Sequence, residues 1–415
     1  MCIRDRLMIM IIIINEKDRW NLMAKYFFSS SFLLFLGNWI GQVGLNWFVL
    51  TTYHNAVYLG LVNFCRLIPI LLLSVWAGSI ADKYDKGLLL RITISSSFII
   101  TALLCLLTYS LNTIPIFIIL LYATFRGILS AVETPVRQAV LPDLSSKIST
   151  TQAVSFHSFI INICRSIGPA IAGGLIAVYH TPITFLAQAV CYFIAAVLCI
   201  PVHFEVIVSQ KEEKALPLKV VLNYFKSNLE GSQIFITSII IMATGFSYTT
   251  VLPVLTNHIF PGQSQVFGIA MTFCAIGGIV ATIVLPSILK HLSTVKMYYL
   301  SSILFGMALL GIIIHHLVVL FICITLIGLF SQWARTTNRV YFQHSVKDCD
   351  RGKVLSIVMM DRGMIPLGSL IMSFFADMFG ILTTFTIMGI STISISIIFY
   401  IIQRISNMEE SNNES

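Results

Sequence analysis

Charge is the scarcest property of this sequence. Aspartate, glutamate, lysine and arginine make up only 11% of the 415 residues, whereas charged residues account for about a quarter of a soluble globular domain. Hydrophobic residues reach 57%, and the mean hydropathy is +0.89. This deficit of charge excludes an ordinary soluble protein and indicates a chain that lies in a lipid bilayer.

Sequence signals of enzymes and of metal sites are absent as well. The chain has no phosphate-binding glycine loop and no nucleophile motif, which argues against an ATP-driven pump and against a membrane enzyme. Its nine cysteines show no CxxC spacing and its nine histidines show no HxxxH spacing. Because free cysteine packs as a small hydrophobic residue, we expect no metal site, no cofactor and no disulfide framework.

Long apolar runs fill most of the chain. A bilayer core of about 30 Å requires about 20 apolar residues per helix, and the sequence contains twelve runs of that kind. Because lipid cannot hydrogen-bond to backbone groups, and because the runs do not alternate as barrel strands do, we expect an all-α membrane protein. The runs cover residues 26–51, 57–81, 88–110, 114–136, 152–179, 182–203, 232–256, 264–290, 296–315, 317–338, 353–378 and 381–403.

The basic residues indicate which side of the membrane each connection faces. Lysine and arginine cluster in alternate connections, such as 83–91 and 211–226, and are missing near His54 and His180. By the positive-inside rule this predicts cytoplasmic termini in a bacterial inner (plasma) membrane. The net charge of +8 therefore marks a membrane side and not a nucleic-acid partner. The same prediction counts among the inner connections Arg137, Arg335 and Arg339.

The longest polar interruption divides the chain into two halves. Six runs precede it and six follow, and an RxxxP pattern occurs in the fifth run (165–169) and in the eleventh (362–366), as a repeat of six helices would place it. The opening residues MCIRDR resemble a translated sequencing-adapter fragment, so Met8, Met10 or Met23 is a candidate start residue, and no signal peptide is predicted. The expected division is an N-terminal segment 1–25, a bundle 26–203, a cytoplasmic linker 204–231, a bundle 232–404 and a cytoplasmic tail 405–415.

Several segments resemble a known family of transporters. In GSIADKYDKG (78–87), Gly78 is followed by Asp82 and by the basic residues Lys83 and Lys86. This resembles the signature between the second and third helices of the major facilitator superfamily, with lysine where arginine usually follows the aspartate. Further segments resemble its branch of enterobactin and other siderophore exporters and macrolide efflux proteins. They are FRG at 125–127, TPVRQAVLPDL at 134–144, RSIGPAIAGG at 165–174, DRGK at 350–353 and RGMIPLG at 362–368.

The resemblance implies a gating role for the 78–87 segment. Gly78 and Asp82 lie one turn apart on the same helix face, so the glycine lets a neighbouring helix approach and the carboxylate meets that helix at its cytosolic end. In the family this segment links helix two to helix eleven and favours the outward-open state. The partner here would be Arg351 or Lys353. The alternative is that these charges only stop translocation and lie in water.

Charged residues within the runs are candidate functional residues, because a charge at bilayer depth is costly without a partner or a wet cavity. For proton coupling we expect Glu133 first and Asp361 second. Glu133 is alternatively a structural partner of Arg126 or Arg137, and Asp361 is alternatively neutralised by its neighbour. The charged residues of the runs are Arg66, Arg126, Arg165, Arg362, Glu133, Asp361 and Asp377.

A polar stripe in the first run predicts a substrate cavity. Asn38, Gln42 and Asn46 recur every four residues and therefore share one helix face. The resemblance implies that helices one, four, seven and ten line a central cavity, which suits an amphipathic and, given the arginines, anionic molecule. The further cavity candidates are Arg126, Ser130, Tyr248, Gln332 and Trp333.

The fifth run resembles the helix-five motif of antiporters, with three residues between the proline and the glycine pair. Glycine permits close helix packing and proline removes a backbone hydrogen bond, so both plain packing and a gating hinge are open. The motif residues are Arg165, Gly168, Pro169, Gly173 and Gly174.

These observations predict a monomeric secondary transporter that exports an amphipathic compound, such as a siderophore or drug, in exchange for protons. Two alternatives stay open. One is a lipid or lysolipid flippase of the same fold, and the other is a membrane scaffold or sensor that does not transport. The polar stripe in the first run disfavours the scaffold.

Overall fold

The computed structural model describes residues 3–111, 113–142, 144, 150–202, 218–346 and 351–413, and only the helical backbone at 3–21, 74–83, 150–151, 218–220, 351–353, 356, 362 and 406–413. All regular secondary structure in these ranges is helical. The helices are α1 (Ile3–Tyr53), α2 (Ala56–Lys83), α3 (Lys86–Ser110), α4 (Ile116–Val140), α5 (Thr150–Tyr179), α6 (Pro182–Cys199), α7 (Leu218–Ser227), α8 (Leu229–Thr244), α9 (Tyr248–Ile259), α10 (Ser264–Ile288), α11 (Thr294–Gly311), α12 (Leu317–Ser345), α13 (Arg351–Val358), α14 (Met364–Phe379) and α15 (Ile381–Asn413).

The helices follow the predicted apolar runs. Within the described residues, eleven segments are long and apolar enough to cross a membrane. The predicted run that is missing from this set is 353–378, where a 3₁₀ turn at Met359–Gly363 separates α13 from α14. At about 1.5 Å per residue, the 16 residues of α14 extend about 24 Å, and the 3₁₀ turn adds about 2 Å per residue. The broken segment is therefore long enough to cross.

Two of the predicted runs are interrupted helices and not continuous ones. The seventh run, 232–256, is interrupted by a turn at Gly245–Ser247 between α8 and α9. Glycine is the poorest helix former after proline, which accounts for a break at Gly245. The 3₁₀ turn precedes Pro366, whose ring lacks an N–H and crowds the carbonyl four residues earlier, at position 362. Both interruptions lie inside the second half of the chain.

The two halves pack by the same scheme. In the first half α2 packs on α4, α1 on α6 and α3 on α6. In the second half α10 packs on α12, α8 on α15 and α11 on α15, which are the equivalent helices of a six-helix repeat. The halves meet through α5 against α10 and through α2 against α14. Residues 204–217 of the predicted linker lie outside the described residues, and α7 packs through Val221 on the second half.

Among the described side chains, the apolar core is shared between the halves at one end only. We call the end with the connections at 54–55 and 260–263 the outer end, and the opposite end the inner end, after the sequence prediction. Toward the outer end one cluster contains residues of both halves, such as Trp47 of α1 and Phe267 of α10. Toward the inner end the described residues form separate clusters, one around Phe27 in the first half and one around Phe342 in the second. The described side chains thus join the halves at the outer end and leave them apart at the inner end.

Candidate functional site

A polar cavity lies between the halves, and we call it the central cavity. Its volume is about 340 Å³, and α1, α2, α4, α9 and α14 contribute to its wall. Two arginines and one carboxylate are among its described wall residues, so their summed charge is positive. The polar residues of the wall are Asn38, Gln42, Asn63, Arg66, Arg126, Ser130, Glu133, Thr134, Thr249 and Thr250.

The polar stripe of α1 is divided between this cavity and a buried contact. Asn38 and Gln42 line the cavity. Asn46 is only 3% exposed and accepts a 3.0 Å hydrogen bond from Asn63 Nδ2. Arg66 Nη2 in turn donates to Asn63 Oδ1 over 3.4 Å. The stripe therefore supplies two cavity residues and one residue that, through Asn63, supports the position of Arg66.

Arg126 is held in place by neutral partners. Its Nε and Nη2 donate to Tyr192 Oη over 3.1 and 2.8 Å, its Nη1 donates to Ser130 Oγ over 2.8 Å, and its guanidinium lies over the Tyr192 ring. Gln188 Nε2 donates to the same Tyr192 oxygen over 2.9 Å. Both Tyr192 and Gln188 belong to α6. This helix therefore positions the guanidinium of Arg126, which belongs to α4 and faces the central cavity.

Glu133 balances two arginines. Its Oε1 lies 3.1 Å from Arg137 Nε, and its Oε2 lies 3.8 Å from Arg126 Nη1. The prediction that placed Arg137 in an inner connection is wrong, since this side chain belongs to α4, is 1% exposed, and also donates to Ser31 Oγ over 2.7 Å. Positive-inside counting does not distinguish a loop residue from the last turn of a buried helix.

A second, smaller cavity adjoins the first, and we call it the side cavity. Its volume is about 130 Å³. Trp39 and Thr249 line both cavities. The side cavity contains Arg165 of α5 and Arg335 of α12, together with Tyr248, whose hydroxyl lies 3.0 Å from Cys274 Sγ. Arg335 and Arg339 lie within α12, so their predicted place in an inner connection is also wrong.

Gln332 and Trp333, the two α12 residues predicted to line the cavity, are not among the described wall residues of either cavity. Gln332 accepts a 2.9 Å hydrogen bond from Arg335 Nη2 and so positions that guanidinium. Trp333 turns toward α10 and donates through Nε1 to the carbonyl oxygen of Ala281 over 2.9 Å. Their expected role in the cavity wall is corrected to a supporting role, because the α12 face that meets the cavities is the one that carries Ser331 and Arg335.

Asp361 lies in the 3₁₀ turn between α13 and α14 and is buried. Its Oδ2 accepts hydrogen bonds from Ser238 Oγ over 2.6 Å and from Asn338 Nδ2 over 3.3 Å. A narrow cleft contains Asp361 together with Arg335 and Arg339. The side chain of its neighbour Arg362 lies outside the described residues.

The helix-five motif brings α5 against α1 and α10. A Cβ built on Gly173 would lie 3.1 Å from Gly268 Cα, and one built on Gly268 would lie 2.5 Å from the carbonyl oxygen of Pro169. A Cβ on Gly168 would lie 2.6 Å from Trp39 Cβ, whereas Gly174 has nothing within 4 Å. Gly168, Pro169 and Gly173 thus lie in close helix contacts, and Arg165 faces the side cavity.

The predicted gating segment is described only in part. The side chains of Asp82, Lys83 and Arg351, and the surroundings of Gly78, lie outside the described residues. Lys86 begins α3, and its Nζ donates to the carbonyl oxygen of Ala139 over 3.1 Å. Asp85, which the sequence prediction did not single out, caps α3 by accepting from the backbone N–H of Gly87 and of Leu88, each over 3.0 Å.

The sequence prediction overlooked most of the residues that support the site. Ser31, Asn63, Tyr192, Ser238 and Asn338 are buried and hydrogen-bonded to its charged or amide groups. A polar residue inside an apolar run was the available signal for Asn63, which lies three positions before Arg66 on the same helix face. The partners on other helices carry no such signal, because their pairing depends on the tertiary packing.

Comparison with known proteins agrees with this architecture. The family model described as transmembrane secretion effector matches residues 22–415. The staphyloferrin A transporter of Staphylococcus aureus is 74% identical over 94% of this chain and 99% of its own length. Macrolide efflux protein A of Streptococcus pyogenes is 19% identical over 95% of this chain and 99% of its own length. The crystal structure of a mutant nucleoside transporter NupG shares the fold, with a TM-score of 0.73 and 15% identity over 91% of this chain and 99% of that one.

Proposed function

We propose that this chain, which belongs to the transmembrane secretion effector family of the major facilitator superfamily, exports an anionic siderophore of the staphyloferrin A kind by alternating access. Family membership makes it a multi-pass membrane transporter and not an enzyme. The observation that carries the proposal is the central cavity, where Arg66 and Arg126 face a space with only Glu133 as a carboxylate.

The charge of the cavity supports an anionic substrate. Arginine is always charged and presents several donors in a planar fork, which matches a carboxylate. Trp39 and Phe35 contribute apolar surface to the same wall, which suits the amphipathic part of an organic molecule. Export, and not uptake, is supported by the family description of a secretion effector.

Alternating access would move the two halves about this cavity. In the described residues the apolar core joins the halves only at the outer end, which is the arrangement expected when the cavity serves the cytoplasm. We propose that Asp82 of the gating segment meets Arg351 when the inner end closes. The termini would be cytoplasmic, in the plasma membrane of a bacterium, and the protein would act as a monomer.

For proton coupling we propose Asp361 in preference to Glu133. Protonation of Glu133 would leave Arg126 and Arg137 as buried cations without a described acidic partner, which is costly. Asp361 instead accepts hydrogen bonds from the neutral groups of Ser238 and Asn338, and it makes no described ion pair with the arginines of its cleft. It also lies at an interruption of the helix, where a change of state alters its access to water.

Efflux from loaded cells tests the function. An efflux-deficient host that expresses the protein is loaded with radiolabelled staphyloferrin A, and retention is followed with and without a protonophore. We expect the label to leave faster than from cells that express Arg126→Gln, and to leave slowly once the proton gradient is collapsed. Retention that is equal in expressing and empty cells would refute siderophore export.

A specific observation keeps a lipid flippase as the second candidate. An apolar groove of about 1020 Å³ lies between α1 and α5 near the inner end, where Phe28, Phe32 and Phe156 line it and Lys25 is at its edge. This groove has the composition expected for an acyl chain with an anionic headgroup. In proteoliposomes, translocation of a fluorescent lysolipid that stops in Phe32→Asn, with siderophore efflux absent, would favour the flippase.

A further inference from the structure

The side cavity places two arginines from opposite halves of the molecule against one small space. Arg165 belongs to α5 of the first half and Arg335 belongs to α12 of the second. Gly278 and Gly328 leave room beside them, and Phe246 and Tyr248 contribute an aromatic wall. The cavity volume of about 130 Å³ accommodates one small polar group together with a few water molecules, each of which takes about 30 Å³ in the liquid.

No described carboxylate lies within ion-pair distance of either arginine, although Asp361 shares a narrow cleft with Arg335. Arg165 Nε and Arg335 Nε are both buried without a hydrogen-bond partner, and neither arginine makes an ion pair with a described carboxylate. Arg335 is oriented by Gln332 and by the face of Phe246, at 5.0 Å from the ring centre, neither of which carries a negative charge. Two guanidinium groups that repel each other in a buried site need an anion.

The side cavity and the central cavity share two wall residues. Trp39 and Thr249 border both spaces. The central cavity has its own arginine pair, Arg66 and Arg126. One molecule with two separated anionic groups could therefore reach both pairs past the Trp39 ring.

We propose that Arg165 and Arg335 form a second anion subsite, so that the substrate is a molecule with at least two anionic groups, one held by this pair and one by Arg66 and Arg126. This inference rests on the proposed function for its choice of substrate. Since the second pair takes one arginine from each half, the anion contacts both halves at once. A ligand that does so binds the states in which α5 and α12 are near each other more tightly, and thereby shifts the equilibrium between states.

Isothermal titration of the full-length protein in detergent tests the subsite. The ligands are straight-chain dicarboxylates from succinate to suberate, each compared with its monomethyl ester. At the chain length that spans both pairs, we expect the dianion to bind about tenfold more tightly than its ester, since one charge-assisted hydrogen-bonded pair contributes about that factor. Both Arg165→Gln and Arg335→Gln should lower dianion affinity about tenfold and change ester affinity less than twofold.

Two further variants separate charge recognition from packing. Arg335→Lys keeps the charge and should restore most of the dianion preference, whereas Arg335→Met fills similar volume and should not. Arg91→Gln alters an arginine that pairs with Asp85 at the inner end of α3, far from the cavity in the fold, and should leave both affinities unchanged.

Equal binding of dianion and ester at every length, absence of dianion binding, or equal losses for both ligands in Arg335→Gln would each overturn the subsite. The outcome is separable from that of the proposed function. Dianion preference in a protein that does not release staphyloferrin A from cells would uphold the subsite and refute siderophore export. Siderophore efflux without any dianion preference would uphold siderophore export and refute the subsite.

Discussion

Glu133 is the residue on which the buried charge of the first half depends. It is the described carboxylate that pairs with both Arg126 and Arg137, and all three side chains are buried. Glu133→Gln leaves two buried cations without an acidic partner, so we expect the free energy of unfolding to fall by about 3–5 kcal/mol. Denaturant unfolding in detergent measures this loss. In the half-buried pair with Arg91, Asp85→Asn should cost only about 1 kcal/mol, and equal losses in the two variants would contradict the assigned role.

Asp361 is a buried carboxylate whose charge should affect proton coupling more than stability, in contrast to Glu133. Asp361→Asn keeps an oxygen that accepts from Ser238 and Asn338 and removes a charge that borders a cleft with Arg335 and Arg339 but makes no described ion pair. We expect a stability within about 1 kcal/mol of the parent and an efflux rate that no longer responds to an imposed proton gradient. Efflux from proteoliposomes at several gradients measures the response. A variant that responds as the parent does would assign coupling to another group.

Single residues were predicted from the sequence only where their partners are local. The sequence prediction named Arg126 and Arg137 as possible partners of Glu133, and the structure brings all three together on α4. The partner of Arg137 on α1, Ser31, is 106 positions away, and no local pattern identifies it. The same limit explains why Tyr192 of α6, which holds Arg126, was not expected.

At the scale of helices, the glycine contact between α5 and α10 sets how closely the halves approach. A methyl group at Gly268 would lie 2.5 Å from the carbonyl oxygen of Pro169, and a backbone atom cannot rotate away. Gly268→Ala should therefore separate the two helices and lower the free energy of unfolding by about 1–3 kcal/mol. Gly174→Ala is the matched control, since nothing lies within 4 Å of its added Cβ. Thermal unfolding measures the stability of both variants. Equal losses of stability would show that the contact between Gly268 and Pro169 does not limit the approach of the helices.

The apolar runs predicted where helices lie but not where they break. Hydropathy averaged over a long window does not register a short polar segment, so the two charged residues of 359–363, which form a 3₁₀ turn, did not interrupt the predicted run. The local signals were Gly245 in the seventh run and Pro366 in the eleventh. Neither alone predicts a break, because glycine and proline also occur inside continuous helices such as α5, which contains Pro169. The packing of α14 against α2 and α8 fixes the outcome.

At the scale of the whole molecule, the distribution of the described apolar core indicates which end would have to open in the proposed export cycle. One cluster contains residues of both halves toward the outer end, whereas the clusters of the inner end are separate in the described residues. Export requires that the outer contacts separate while the cavity is loaded. In the proposed mechanism, the binding of substrate and proton supplies the free energy of that separation.

A reversible cross-link at the outer end tests this movement. A Cβ built on Gly60 of α2 would lie 2.6 Å from Ser373 Cβ of α14, so the pair Gly60→Cys and Ser373→Cys needs a shift of only about 1 Å to reach disulfide geometry. We expect the oxidised double variant to retain substrate and to resume efflux after reduction, because the bond holds the outer end closed. Each single variant, treated with the same oxidant, controls for the native cysteines. Undiminished efflux from protein that is fully cross-linked on a non-reducing gel would show that α2 and α14 do not separate during transport, and alternating access by movement of the two halves would then be refuted.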